Sequence, residues 1–258
     1  MFSAINSGRM RAAARAATMH LGLSAAIAAL AAGVVFFLWY PYPYGELAGG
    51  RGLFTIIVSV DVICGPLLTL VLYSPGKNLK ELFRDLTLVA MIQLAALAYG
   101  VFVVWNARPL YLVAEVDRFK VISAMALPDN FRDVLPENLI PGLLDGPMTI
   151  GVRPPKDIEE KNTVMFESLK GGADYAERPN FYVPFDNAVA ERLMKRAKPL
   201  KEFLLNFPEQ RAPAEAFGRR LGQAADDLKY LPVIGRQDWV AVIDQQGFIF
   251  GFLKGDGF

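Results

Sequence analysis

The chain contains one cysteine, Cys64, and one histidine, His20, and its charges nearly cancel, with 27 Lys and Arg against 26 Asp and Glu. A lone cysteine makes no intrachain disulfide, and with one histidine there is no Cys/His set for zinc. That single histidine sits at the edge of an apolar run, which removes any Ser-His-Asp triad, and no GxSxG, Walker A or HExxH pattern occurs. A formal net charge of +1 supplies no basic field for a phosphate backbone, so nucleic acid is not expected as a partner. The acidic pairs Glu159-Glu160 and Asp226-Asp227 lie on predicted helix surfaces, where adjacent residues do not face each other. The expectation is a protein that is not an enzyme and takes no cofactor or metal.

Charge is also scarce locally. Residues 1–105 carry 7 basic and 4 acidic side chains, whereas residues 106–258 carry 20 and 22. The 53% hydrophobic share is therefore two ordinary compositions joined at Trp105. A bilayer core of about 30 Å needs about 20 apolar residues in a helix. Three runs meet that requirement: Leu21 to Tyr40 without charge, Leu53 to Tyr73 with only Asp61, and Leu86 to Trp105 without charge. Arg9, Arg11, Arg15 and the Ala29-Leu30-Ala31 triplet imitate a secretory signal. The apolar run continues to Trp39, however, so an uncleaved membrane helix is expected.

Basic residues in short flanks report orientation. Three Arg precede the first run and Lys77, Lys80 and Arg84 lie between the second and third, while Pro41 to Gly52 holds only Arg51. The N-terminus and the 74–85 loop are thus expected in the cytoplasm of a bacterium, and residues 106–258 in the periplasm. Trp39, Tyr40, Tyr42, Tyr44 and Trp105 read as an interfacial aromatic belt on that side. The expected organisation is a cytoplasmic basic tail (1–17), a three-helix transmembrane domain (18–105) and a periplasmic α+β domain (106–258).

Helices in lipid associate through close packing and hydrogen bonds, so small residues mark faces. The first helix carries Gly22, Ala25, Ala26, Ala29, Ala32 and Gly33 on one side; the third carries Ala96 and Gly100 beside Gln93. These faces either pack the three helices together or leave one side for a partner helix. Asp61 lies near the middle of the second helix, where a carboxylate costs at least ~2.5–3.5 kcal/mol. Three roles are open to it: a protonated or hydrogen-bonded group fixing the bundle through Gln93, Thr69 or Ser59, a contact to a partner helix, or proton conduction, for which a single acid makes a poor relay. Gly65-Pro66 is expected to break the helix ladder, since Pro66 offers no N–H to the Val62 carbonyl.

In residues 106–258, strands are expected at Leu110 to Val116, Phe119 to Ser123, Met148 to Val152, Pro232 to Ile234, Trp239 to Ile243 and Phe248 to Leu253. Six prolines between 128 and 155 mark an irregular but ordered excursion. Helices are expected after Pro154-Pro155 through Leu169, after an Asp186 N-cap, and from Pro213 with Phe217, Leu221, Ala224 and Leu228 on one face. Phe248, Phe250 and Phe252 alternate onto one face of the last strand. The result is an α+β domain with an N-terminal hairpin and a C-terminal β-meander.

Taken together, His20-Leu21, Trp39-Tyr40-Pro41, Asp61 to Thr69 (DVICGPLLT), Gln93 to Gly100 (QLAALAYG), Arg108-Pro109, Tyr111-Leu112-Val113 and Val116-Asp117-Arg118-Phe119 resemble the type IV pilin accessory family (TfpX/TfpZ, FimB-like). The resemblance is specific over roughly residues 18–125 and looser beyond, and Met1 to Ala17 is unmatched. It implies a chaperone-like inner-membrane factor that stabilises a cognate type IV pilin and promotes its assembly into pili. Partners would be the pilin's transmembrane helix, shielded by the first or third helix, its globular domain, contacted by residues 128–155 and the terminal sheet, membrane lipids and other pilus assembly proteins. The partner-binding residues expected in the membrane are Gly22, Ala25, Ala29, Gly33, Asp61, Gly65, Pro66, Gln93, Ala96 and Gly100, and outside it Arg108, Tyr111, Asp117 and Phe119. The alternative is a membrane-anchored periplasmic sensor or a transport-complex subunit.

Overall fold

A computed structural model describes residues 2–74 and 76–258, so Met1 of the basic tail and Pro75 of the 74–85 loop lie outside the described residues. In chain order the helices are α1 (Phe2–Val34), α2 (Tyr44–Leu47), α3 (Gly50–Leu72), α4 (Leu79–Asn106), α5 (Ile158–Leu169), α6 (Asn187–Met194), α7 (Leu200–Asn206) and α8 (Arg211–Leu221). The spans Gly8–Trp39, Gly50–Leu72 and Leu79–Asn106 are long and apolar enough to cross a membrane. The chain divides into two units, one running to Leu38 and resuming over Gly50–Asn106, the other made of Trp39–Gly49 and Ala107–Phe258.

In the first unit, α1 is longer than its apolar run. Its alanine-rich start carries Arg9, Arg11 and Arg15 as part of the same helix, because nothing before Val34 breaks it. A π turn over Val35–Trp39 ends it. The ladder bond to the Val62 carbonyl is lost at Pro66 as expected, but the helix does not end there. Pro66 lies inside a continuous α3, where Gly65 has no Cβ to meet the proline ring and only one backbone bond is lost. α3 is the middle helix, packed along both α1 and α4. Phe36 meets Phe54 edge-on at 5.2 Å, and His20 Nδ1 lies 2.6 Å from Thr69 Oγ1.

The second unit is built on one eight-stranded mixed sheet: β1 (Pro109–Ala114), β2 (Phe119–Ser123), β3 (Met148–Val152), β4 (Tyr182–Pro184), β5 (Lys198–Pro199), β6 (Lys229–Ile234), β7 (Trp239–Ile243) and β8 (Ile249–Lys254). Its order is β4-β3-β1-β2-β6-β7-β8, with β5 beside β6. The expected hairpin is β1-β2 and the expected meander is β6-β7-β8, all antiparallel. They join through a parallel pairing of β2 with β6, Phe119 opposite Val233. All six residues of β1 are buried, as an uninterrupted apolar run in the middle of a sheet requires.

Two local expectations are corrected. α8 stops at Leu221 because Gly222 takes φ +69°, a left-handed C-cap; Ala224 lies beyond it and Leu228 reaches the core after a 3-10 turn over Ala225–Asp227. The three terminal phenylalanines do not share a face. A register shift in the β7-β8 ladder, between Val242/Gly251 and Ile243/Ile249, breaks the alternation. Phe250 then meets Phe217 of α8 at 5.8 Å, whereas Phe252 meets Tyr44 at 6.3 Å.

The aromatic belt is corrected too. Trp39, Tyr40 and Tyr44 are 8%, 2% and 7% exposed, and only Tyr42 of that segment stands out, at 74%. Residues 39–49 fold into the sheet unit. Tyr44 and Leu47 belong to the same core cluster as Phe119, Leu231 and Trp239. The Leu47 carbonyl accepts the Arg236 N–H at 2.7 Å, and Trp39 Nε1 donates to the Leu143 carbonyl at 3.2 Å. Glu46 pairs with Lys254. Burial of this segment within its unit outweighs the preference of aromatic rings for an interface.

The 128–155 excursion is ordered, with Leu135 and Leu139 buried, and the Tyr111 hydroxyl donates to the Leu139 carbonyl at 2.7 Å. Beyond β3, Asp157 caps α5 by accepting from the Glu160 N–H at 2.7 Å. Glu160 accepts both guanidinium nitrogens of Arg153 at 2.8 Å and the Lys156 N–H at 2.6 Å. These bonds, that to Arg153 foremost, pull its carboxyl from the ordinary 4.5 to about 2. A lowered carboxylate contributes stability in full above the unfolded value and loses it as pH falls. Acid titration followed by near-ultraviolet circular dichroism is therefore expected to show a loss between pH 4.5 and about 2 that Glu160→Gln flattens; identical curves would refute the role of this bridge.

Candidate functional site

α1 and α4 lie on either side of α3 and leave a groove whose walls are Leu23, Ser24, Ile27 and Ala28 of α1 and Ala90, Leu94 and Leu97 of α4. Val58 and Asp61 of α3 form its floor, with Gln93 beside them and His20 at one side. The wall residues recur at intervals of three and four, the helical spacing that lines up one face. The free volume is about 190 Å³.

Asp61 is the twelfth of the 23 residues of α3, and Gln93 the fifteenth of the 28 of α4. The two midpoints meet. Gln93 Nε2 donates to the Asp61 main-chain carbonyl at 2.9 Å, not to its carboxylate. The other expected partners are engaged elsewhere: Thr69 with His20, and Ser59 with the Thr55 carbonyl at 2.7 Å. Asp61 Oδ2 and Gln93 Oε1 are both buried, and no donor among the described residues reaches either. An unmet buried acceptor costs about 1–3 kcal/mol.

The other helix residues singled out by sequence divide between two environments. Gly65 and Gly100 are buried at the α3–α4 contact. A Cβ at Gly65 would lie 2.0 Å from Gln93 Nε2, and one at Gly100 2.3 Å from Ile57 Cγ2. Both glycines are internal spacers and not surfaces for a partner. Pro66 is half-buried and Ala96 exposed. Gly22, Ala25 and Ala29 are exposed and Gly33 half-buried, and a Cβ at Gly22 or Gly33 would meet nothing within 4 Å. α1 turns another side, with Ala13, His20, Ser24, Ala28 and Val35, into the unit. The small-residue face is not consumed within the described chain.

Outside the helices, three expected contact residues are corrected. Arg108, Tyr111 and Phe119 are 3%, 0% and 0% exposed. Tyr111 stacks edge-on with Tyr182 at 5.2 Å and Phe119 lies 6.2 Å from Phe185. They are core residues because each sits on or beside a central strand. Burial, with the charge of Arg132, pulls the Arg108 guanidinium down to about 10 against the opposing Tyr40. Asp117 alone of the four is exposed, and its carboxylate accepts from Arg118 Nε at 2.7 Å. Burial pushes the Glu115 carboxyl up, while the Ala176 N–H that it accepts at 3.2 Å pulls the other way. Leu143 and Leu144 are exposed within the excursion that sequence reading assigns to a contact; what it missed is the open surface of Ile158, Met165, Phe166 and Leu169 along α5. The α5 spacing of seven, eight and eleven residues was a legible signal for it.

These features define a class: a helical unit with an open groove and an open small-residue face, joined to a mixed-sheet α/β unit. A family model described as fimbrial assembly protein FimB matches residues 8–49. A fimbrial assembly protein of serogroup I from Dichelobacter nodosus is 33% identical over 259 residues, covering 98% of this chain and 99% of the relative. Its serogroup E1 counterpart is 33% identical over 261 residues with the same coverage. The protein of serogroups C1 and C2 is 42% identical over 133 residues, 52% of this chain and 99% of the relative. No solved structure matches. The chain belongs to the FimB family of fimbrial assembly proteins. The likeness extends over nearly the whole chain, and the family model begins at residue 8, inside the stretch that the sequence motifs leave unmatched.

Proposed function

We propose that this protein is a chaperone-like factor of the bacterial inner membrane that holds a cognate type IV pilin and promotes its assembly into pili. Its three apolar helices cross the membrane, the N-terminus and the 74–85 loop face the cytoplasm, and the α/β unit lies in the periplasm, as the distribution of Lys and Arg favours. The relatives' role in fimbrial assembly supports the reading. The observation that carries it is the outer face of α1, where Gly22, Ala25 and Ala29 are exposed and no neighbouring side chain fills the space over Gly22 or Gly33. A pilin before assembly is an apolar helix with a globular domain outside the membrane. Small-residue faces are how helices approach closely in lipid, and the apolar side of α5 with the Leu143-Leu144 pair offers a second contact for the globular domain. The chain does no chemistry on the pilin in this reading; it binds and releases it.

The test is co-purification of pilin with the full chain from native membranes. Replacing Ala29 and Gly33 together by Leu is expected to reduce pilin recovery, because the added side chains hold a partner backbone away from α1, while leaving the yield of folded protein unchanged. Undiminished recovery from a folded double variant would overturn the α1-face assignment, and absence of pilin from the natural chain's complexes would overturn the function.

A further inference from the structure

We propose that the α1–α3–α4 groove is a docking slot for a partner transmembrane helix that carries a hydrogen-bond donor at mid-depth, received by Asp61 and Gln93. The inference rests on the reading above that the helices span the membrane and receive a helix, and it names a second surface, across α1 from the small-residue face, with the chemistry of the helix it takes.

Three observations converge on this occupant. First, Asp61 and Gln93 line the groove, and one oxygen of each, Asp61 Oδ2 and Gln93 Oε1, is covered by protein and met by no donor among the described residues. Hydrocarbon cannot satisfy them, and a turn of the Asp61 carboxyl toward a donor seated in the groove does. Second, both residues stand at the middle of their helices, which places the donor near the bilayer midplane. A phospholipid carries its polar atoms at the headgroup and only methylenes at that depth, so a lipid fills the groove but leaves both acceptors unmet. Third, the free volume of about 190 Å³ is below the roughly 300–1,000 Å³ of small-molecule sites. It suits a few side chains of a helix lying along the slot. Leu23, Ile27 and Leu94 line the walls and provide the apolar packing, while Gln93 is held in place by its bond to the Asp61 carbonyl.

Specificity follows from an asymmetry of cost. A purely apolar helix docks but leaves the two acceptors orphaned, whereas a helix with a central Ser, Thr or amide donor relieves at least one of them. The small-residue face of α1 discriminates by size; the groove floor discriminates by polarity. The two faces lie on opposite sides of α1, so each takes a different helix.

The experiment uses the full chain, fluorescently labelled, in phosphatidylcholine and phosphatidylglycerol liposomes. The probes are two synthetic Leu/Ala transmembrane peptides of about 22 residues, enough to span the bilayer, identical except for Ser or Leu at the centre, and binding is read by energy transfer. The Ser peptide is expected to bind roughly 3- to 18-fold tighter, the range for one hydrogen bond between membrane helices. In an Asp61→Leu, Gln93→Met double variant of unchanged helicity that advantage is expected to vanish. A photoreactive phenylalanine at Leu94 is expected to capture the Ser peptide, and one at Tyr99, exposed on another side of α4, is not. Equal binding of the two peptides to the natural chain, persistence of the preference in the double variant, or capture only from position 99 would each overturn the assignment. The two readings separate: a Ser preference without pilin in native complexes removes the pilin and keeps the slot, and pilin recovery without a Ser preference does the reverse.

Discussion

Replacing Leu47 by Ala is expected to destabilise the α/β unit by about 2–5 kcal/mol, the cost of emptying a fully buried leucine site. The size of the effect is unexpected for a residue in a short connection between two apolar helices. Its cause is geometric. Leu47 is 0% exposed and packs in the core that holds Leu231, Val233 and Trp239. A Cβ placed on Gly235 would lie 2.5 Å from the Leu47 carbonyl oxygen, so the two backbones already touch and the site has little freedom to collapse. Urea unfolding of the purified full chain, followed by tryptophan emission after Trp39 and Trp105 are replaced by Phe so that Trp239 alone reports, measures the loss. Leu79→Ala, at a position 82% exposed, is the control. Equal midpoints for the two variants would show that the segment does not belong to the core.

Gly100→Leu is expected to be the most damaging single substitution in the helical unit, and Gly22→Leu among the least. The added Cβ at Gly100 meets the branched Ile57 side chain at 2.3 Å. Ile is stiff at χ1, so α3 and α4 must separate, at a cost of about 1–3 kcal/mol from overpacking plus the close packing forfeited along the rest of the seam. At Gly22 the same side chain enters open space. Thermal unfolding in detergent distinguishes them: a clear drop in midpoint for Gly100→Leu and none for Gly22→Leu. Reversal of that order would mean that α1, not α4, supplies the tight contact to α3.

Much of the architecture was legible in the residues because it depends on local signals. Three charge-poor runs, the Asp186 N-cap, which accepts from the Val189 N–H at 2.9 Å, and the Asp244 to Gly247 turn, with Gly247 at φ +88°, are each written within a few positions. What was not legible depends on distant partners. Nothing in Trp39 to Leu47 distinguishes an interfacial aromatic from a core aromatic, since both are apolar rings beside a membrane helix; only the arrival of β7 and β8 decides. Tyr111 and Phe119 were misread as contact residues for the same reason: a strand's centrality is a property of its neighbours. The groove combined both cases. Asp61 and Gln93 stood out at once as polar residues in apolar helices, but their meeting 32 residues apart, and the failure of Thr69 and Ser59 to serve the carboxylate, required the packing of three helices.

The insertion of residues 39–49 into the sheet unit also sets a schedule. Leu47 and Trp239 share a core but lie about 190 residues apart, so on a ribosome adding about 5–20 residues per second the segment waits roughly 10–40 s for its partners. For most of that interval the three long helices and β1 to β3 are already made, while Tyr44 and Leu47 still lack the β6 and β7 residues of their core. The last strands to be synthesised are therefore the ones that close the first connection made, and any chain cut short before β7 is left with its earliest aromatic cluster uncovered.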